Sequence, residues 1–391
     1  MVAEVFIISI TLLSLVYFLT LQILEKALDK INIPEDNVTN LQKDAITVIV
    51  CARNEQKNLP DLFRCLESQD TENTLLEFII VNDRSEDNTA QLIKDQCRKD
   101  ERFKAIHIQD RQAGFAPKKR AIDAAVKQAS GELLLLTDAD GRPKKDWIKA
   151  MVRYFRNGAD MVIGYAPYTA DSRSKMIHKI MALEYFSIAM IAASTTVMGY
   201  PVTSVGTNFA YRKKVYQQVG GFGRFKSYIS GDDDLFLTIV REKHTYDIQY
   251  AADAGSHVFN DPPKSFSQFV NQRLRFASKG LDYPFKVTLG LSLYVIFNLL
   301  LLLALTAGIF QSREVLITLL FVLLLKSVFE YKYVRKAARK LSDSRFTNYY
   351  FATAILHLPY VLFFGILGQF KFFKWAENKT EHGVLKKKGP A

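Results

Sequence analysis

Cysteine is scarce in this chain: three residues in 391, Cys51, Cys65 and Cys97. An odd number with no CxxC spacing gives no basis for a disulfide framework or a zinc site, and reduced cytoplasmic thiols are expected. No GxGxxG follows the first β-type run, so the pyrophosphate loop of a dinucleotide fold is missing. An EF-hand is missing too. DADG at 138–141 opens like one, but Arg142 and Pro143 take the next loop positions and Lys149 stands where the bidentate Glu belongs. No nucleic-acid motif accompanies the net charge of +12, so no nucleic-acid partner is expected. Charge is also absent from residues 5–24.

That uncharged run (VFIISITLLSLVYFLTLQIL) is long enough to span a bilayer, which needs about 20 apolar residues. Glu4 before it and EKALDK after it suit a retained anchor over residues 1–25 better than a cleaved signal peptide. Residues 287–310, 314–330 and 348–370 are three further apolar runs, the last interrupted by His357 and Pro359. They predict a C-terminal membrane region of about three helices over 286–370. Six Lys or Arg fall in 331–345 and six Lys in the tail 371–391. Beside apolar spans, such residues favour the cytoplasmic leaflet. With one plus three spans and a cytoplasmic middle, the basic tail would lie outside. Either the 314–330 run or the Pro359 run stops short, or the positive-inside rule is broken.

The middle, residues 40–285, has ordinary soluble composition. ITVIVC (46–51), EFIIVND (77–83), FKAIHI (103–108) and ELLLLTD (132–138) are short apolar runs, separated by segments long enough for helices at 57–68, 88–99 and 118–129. This alternation predicts an α/β domain with a parallel sheet buried on both faces. Ligands bind beyond the carboxyl ends of such strands. The polar residues sit there: Arg53, Asn54 and Glu55 after the first strand, Asn82 and Asp83 after the second, Asp138 and Asp140 after the fourth.

Asp138 and Asp140 are hard oxygen ligands that suit Mg²⁺ or Mn²⁺ bridging to substrate phosphates. Asp83 reads either as a helix N-cap or as a contact to a ribose or base. Lys118 and Lys119 open a helix, as an anion site or a solvated basic face. Asp232, Asp233 and Asp234 (SGDDDLFLT) are unfavourable together unless solvated, metal-bound or put to use. They fit a general base at a helix start, or an over-rich cap. In NQRLRFASKG, Arg273, Arg275 and Phe276 read as an amphipathic interfacial helix, or as an arginine holding a diphosphate beside an aromatic wall. His257 reads as a satisfied loop histidine, or as a further metal or phosphate contact.

Taken in order, these motifs resemble the membrane-embedded family 2 glycosyltransferases, relatives of bacterial cellulose, hyaluronan and poly-N-acetylglucosamine synthases. The resemblance covers about residues 45–285. CARNE and VNDRSEDNT match the nucleotide-contacting segments, TDADG the DxD motif, GDDDL the acidic motif whose second acid is the base, and QRLRF the family's QxxRW. PKKRAID resembles the glycine-lysine helix start, with Pro117 for the glycine, and SVGTNFAYRKK resembles the segment preceding the base.

The resemblance implies a GT-A fold of mainly parallel sheet and inverting transfer from a nucleotide sugar, with a UDP-sugar expected. It implies donor contacts from Ala52, Arg53, Asn54, Glu55, Asp83, Lys118, Asp138 and Asn208, with Gly206 also on the sugar side. Asp138 and Asp140 would hold Mg²⁺ or Mn²⁺. Asp233 would be the base, with Asp232, Gln272, Arg275 and Phe276 completing the catalytic set. Phe276 keeps the aromatic wall but lacks an indole N–H donor.

That departure and the small number of spans favour a membrane-associated lipid or short saccharide acceptor. A processive polysaccharide synthase is the alternative, and a noncatalytic nucleotide-sugar receptor a third reading. Residues 176–194 and 264–283 are expected to lie at the membrane surface. The whole is expected to be an integral protein of a bacterial inner membrane with its catalytic domain in the cytoplasm.

Overall fold

The computed structural model describes residues 2–35, 44–69, 74–243, 245–375 and 378–379. Residues 376, 377 and 380–391 of the expected basic tail lie outside these. The described residues fall into two compact units. One holds the segment up to Lys30, Asp171–Met190 and the chain from Pro263 onward; the other holds Ile31–Ala170 and Ile191–Pro262.

The chain opens with helix α1 (Val2–Ala27) of the first unit. The second unit begins with β1 (Asp44–Ala52), α2 (Leu59–Glu67), β2 (Thr74–Asp83), α3 (Thr89–Lys99), β3 (Phe103–Ile108), α4 (Pro117–Gln128) and β4 (Leu133–Asp138). It continues through β5 (Arg142–Pro143), α5 (Trp147–Arg156) and β6 (Met161–Gly164). After α6 (Met176–Val197) come β7 (Phe209–Arg212), α7 (Lys213–Gln218), α8 (Asp234–Glu242), β8 (Ile248–Ala251) and β9 (Val258–Phe259).

Seven strands form one sheet in the order β3-β2-β1-β4-β7-β6-β8. The four strands expected from sequence are its parallel half. Val48, Ile80 and Leu133–Leu136 are all buried, as expected for strands covered on both faces. β7 runs antiparallel to both β4 and β6, so the sheet is mainly, not wholly, parallel. The register sets the site. Cys51 pairs with Asp138 and Ala52 with Asn82, so three strands end at one edge.

The first unit contains α9 (Phe266–Ala277), α10 (Phe285–Phe310), α11 (Arg313–Lys340) and α12 (Tyr350–Leu367). Helices α1, α10 and α11 share a core of Ile10, Phe18, Phe297, Leu301, Ala304, Val315 and Leu319. Val5, Leu12, Leu19, Ile296, Leu303, Ile317, Phe321 and Leu324 are exposed. Helices apolar on the outside as well as at their contacts suit a lipid solvent.

Among the described residues four helices are long and apolar enough to cross a membrane: Ala3–Lys30, Met176–Val197, Phe285–Phe310 and Thr347–Phe370. The run expected at 314–330 is the first part of the longer α11, which also carries Lys326, Glu330 and Lys332 and is not one of the four. Pro359 lies inside α12 without ending it.

Candidate active site

Leu133–Leu136 carry β4 through the core and deliver Asp138 at its open end. One Asp138 oxygen accepts from Lys118 Nζ at 2.6 Å, and the other from Thr207 Oγ1 at 2.7 Å. The same ammonium lies 2.7 Å from Asp232 Oδ2. One cation therefore joins the two acidic motifs, and it stands in the first turn of α4 after a buried Ala116. Burial alone would depress the Lys118 ammonium; the charges of Asp138 and Asp232 outweigh it and hold it well above the ordinary lysine value. Burial would raise Asp232, but Lys118 brings it down to about 2. Among the described residues Asp140 has no cation at hydrogen-bond distance. Burial, then the charge of Asp138, pushes it up to about 6.

Lys119, beside Lys118, does different work. It is completely buried, and its ammonium donates to the carbonyls of Phe225 (2.8 Å) and Ser230 (2.9 Å). That clamps the loop ahead of Asp232. Gly231 in this loop has φ +82°, a conformation open to glycine at little cost. Asp233 then caps α8, its Oδ1 accepting from the Asp234 N–H at 2.7 Å. The backbone of Gly206 lies over this group. A Cβ there would stand 3.1 Å from Asp232 Oδ2, 3.4 Å from Lys118 Nζ and 3.5 Å from Asp233 Oδ2.

At the end of β1, Ala52 is buried and can offer only its backbone. Arg53 Nε is buried with no hydrogen-bond partner among the described residues. Asn54 adopts φ +57°, and its side-chain oxygen accepts from the Glu86 N–H at 2.8 Å, tying β1 to the loop after β2. Glu55 accepts from Asn58 Nδ2 at 2.6 Å. Burial, reinforced by the charges of Asp140 and Asp138, raises its carboxyl despite that bond. Asp83 is buried and holds Arg84 through two bonds, at 2.7 and 3.0 Å.

One expected contact is displaced. Asn208, expected on the sugar side, is fully buried. Its amide donates to the carbonyls of Tyr165 and Ser256, and its oxygen accepts from the Trp147 indole at 3.0 Å. The apolar strand β7 begins at the next residue and draws Asn208 inward. Thr207, one position earlier, takes the site-facing place. His257 is buried edge-on against Tyr165.

Gln272, Arg275 and Phe276 lie on α9, in the other unit. Gln272 Oε1 accepts from Arg273 at 2.7 Å, Phe276 stacks on Tyr185 at 6.4 Å, and the Arg275 guanidinium lies 5.3 Å from the Phe276 ring.

Among the described residues no group of three or more His, Cys, Asp or Glu is placed to hold a metal ion. Asp138 and Asp140 supply two partly exposed carboxylates; that of Asp140 is raised and, among the described residues, has no cation at hydrogen-bond distance. That donor set fits a Mg²⁺ or Mn²⁺ that takes its remaining oxygens from a substrate diphosphate and water.

Residues 47–220 match the family described as glycosyl transferase family 2. The poly-beta-1,6-N-acetyl-D-glucosamine synthase of Staphylococcus epidermidis is 25% identical over 316 residues, covering 78% of this chain and 72% of that protein. A probable glycosyltransferase of Bacillus subtilis, YdaM, is 24% identical over 262 residues, 64% of this chain and 59% of that protein. A mannosyltransferase from Pyrobaculum calidifontis, solved with GDP-Man and Mn²⁺, superposes with a TM-score of 0.59 at 17% identity. The match covers 87% of this chain and 98% of that one, and it is a likeness of fold, the GT-A fold.

Proposed function

We propose that this chain, which has a GT-A fold and matches glycosyl transferase family 2 over residues 47–220, is a family 2 glycosyltransferase that moves one sugar from a UDP-sugar to a membrane-associated lipid or growing saccharide. The observation that carries this reading is the Lys118 ammonium. It holds the DxD carboxylate Asp138 and the GDDD carboxylate Asp232 together at hydrogen-bond distance. A site that binds a diphosphate and deprotonates an alcohol needs the DxD motif and the motif that carries the base, Asp233 beside Asp232, within a few ångströms of one anomeric carbon.

In the proposed reaction Arg53 and Glu55 receive the nucleoside side of the donor, and Asp83 with Arg84 borders it. Asp138 and Asp140 would hold the divalent ion, which would supply charge neutralisation to the diphosphate. Lys118 faces the leaving oxygen and stabilises the negative charge that develops there. Asp233 takes the proton of the acceptor hydroxyl as its oxygen attacks the anomeric carbon. The new C–O bond forms opposite the departing nucleoside diphosphate, so a single displacement inverts the anomeric centre. Arg275 offers a second cation to the leaving diphosphate, and Phe276 an aromatic face to the acceptor sugar.

The four candidate membrane helices support an acceptor drawn from the bilayer, and the basic residues beside them support a cytoplasmic active domain in a bacterial inner membrane. Processive synthesis is the second reading. It is favoured by the relatives named as poly-beta-1,6-N-acetyl-D-glucosamine synthases. Sizing a radiolabelled product extracted in detergent separates the two, since a ladder of lengths would mark a polymerase.

The first test is Asp233→Asn. General-base assistance is worth roughly 10²–10⁴-fold in rate. Turnover should fall by that factor, while calorimetric binding of the UDP-sugar with Mn²⁺ stays as in the wild type. Near-normal turnover in Asp233→Asn would falsify the assignment of the base.

A further inference from the structure

Arg273 lies inside the QRLRF segment at a position the proposed chemistry does not use, and it is the more deeply buried of the two arginines there, 1% exposed. One Nη donates to Gln272 Oε1 at 2.7 Å. The other forms an ion pair with Glu184 of α6. The second oxygen of Glu184 accepts from the Tyr360 hydroxyl of α12. Three rings surround the guanidinium: Phe269, Phe276 and Tyr185, with centroids at 5.0, 5.4 and 5.6 Å. Phe276 in turn stacks on Tyr185.

A buried ion pair is a poor device for stability alone. Well-packed apolar residues in its place are often as stable or more so. A carboxylate in a helix apolar enough to cross a membrane is costly and marks use. What the pair provides is orientation. A guanidinium has donors only, in a rigid planar fork. Gln272 must therefore turn its oxygen toward Arg273, which leaves only N–H donors at the other end of its amide. The same fork lies 5.4 Å from the ring of Phe276, so one side chain sets the attitude of both neighbouring motif residues.

We propose that Arg273, held by Glu184, is a positioning residue for acceptor recognition: it orients Gln272 and Phe276 toward the acceptor saccharide. This rests on the transferase reading above. Arg273 itself touches neither donor nor acceptor in the proposed reaction.

The test uses full-length protein in detergent with native lipid, UDP-N-acetylglucosamine as donor probe and a β-1,6-linked N-acetylglucosamine oligosaccharide as acceptor probe. Arg273→Met leaves the largely enclosed Glu184 carboxylate without its cation and can fail to fold. The double variant Arg273→Met/Glu184→Met removes both charges and keeps the packing volume, and Arg273→Lys keeps the charge without the fork. The double variant is expected to fold and to hydrolyse donor in the absence of acceptor at the wild-type rate, with the acceptor KM raised roughly tenfold or more, the scale of one lost hydrogen bond. Arg273→Lys should show the same acceptor defect with an unchanged donor KM. Wild-type acceptor KM in a folded double variant would overturn the positioning role and leave the transferase reading intact. A wild-type protein that releases no nucleoside diphosphate from any sugar donor would overturn the transferase reading, and this proposal with it.

Discussion

Lys118 and Arg273 are both cations held between acceptors, and they are built in opposite ways. Lys118 is 24% exposed and touches two carboxylates that are themselves reachable from solvent, Asp138 at 29% and Asp232 at 12%. Arg273 is 1% exposed, with Glu184 at 12%, and rings close over it. An ammonium is a point charge on a flexible stem, and it can exchange one anionic partner for another. A guanidinium fork bonded at both ends cannot turn without breaking both bonds. The difference teaches how to tell a cation that meets a ligand from one that arranges its neighbours. The first is shared by acids and left partly open; the second is closed in by aromatic faces around its pair with Glu184.

The comparison breaks first, and most visibly, at Lys118. Lys118→Met removes the charge expected to meet the leaving diphosphate and leaves Asp138 and Asp232 repelling each other. Loss of one preorganised charge partner at such a site typically costs about 10²–10³-fold in kcat. Metal-dependent release of nucleoside diphosphate should fall by at least that much, with the donor KM raised as well. This is the mirror image of the defect expected on replacing Arg273, where the acceptor KM moves and the donor KM does not. Identical kinetic signatures for the two variants would erase the distinction.

The acid side of the Lys118 network gives a smaller, pH-dependent effect. Lys118 depresses Asp232 to about 2 from an ordinary value of 3.8. In the folded state the group stays ionised where the unfolded chain already binds a proton. Its contribution is therefore fully present above the unfolded value and is lost as pH falls from there toward about 2. Asp232→Asn should lower stability at pH 7, by at most about 2–3 kcal/mol for a shift of this size. The gap between variant and wild type should narrow steadily below pH 4 in detergent melts. A gap that does not change with pH would mean that packing, not the Lys118 pair, accounts for the loss.

How much of this was legible in the sequence depends on distance along the chain. The four parallel strands and the helices between them could be read because each is a local pattern: ITVIVC, EFIIVND and ELLLLTD each announce a buried strand and its polar end, and FKAIHI announces a strand that, at the sheet edge, leaves Lys104 and His107 exposed. Strands β6 and β7 have four residues each, too few for a period, and the antiparallel turn of β7 depends on partners far away. The carboxylates Asp138, Asp140, Asp232 and Asp233 were visible as acids at element ends. That one lysine pairs with two of them was not: the resemblance singled out Lys118 as a donor contact, but nothing local in PKKRAID tells that it faces both acids or that Lys119 is buried under Phe225 and Ser230. Asn208 was placed on the wrong side for the same reason. In GTNFAY the polar residue next to the strand is drawn into the core by Trp147, and the hydroxyl before it faces Asp138. QRLRF showed two arginines but not which one is enclosed, since the enclosing groups, Glu184 and Tyr360, come from α6 and α12.

The finest test of the shared-cation picture is a single methyl group at Gly206. A Cβ there would stand 3.1 Å from Asp232 Oδ2 and 3.4 Å from Lys118 Nζ, closer than ordinary van der Waals contact on the carboxylate side. Nothing in the backbone forbids it, since Gly206 is not among the residues with positive φ. Gly206→Ala should therefore fold normally. The flexible ammonium and the Asp232 carboxylate should yield by a few tenths of an ångström, and displacements on that scale at a reacting centre cost rate without abolishing it. A drop of roughly three- to tenfold in kcat, with melting temperature unchanged, is the expected result. A larger side chain such as Gly206→Val should push Asp232 off Lys118 and approach the Lys118→Met phenotype. If Val at 206 were as active as glycine, the backbone over the acidic group would be a bystander, and Lys118 would have to be assigned its partners on other grounds.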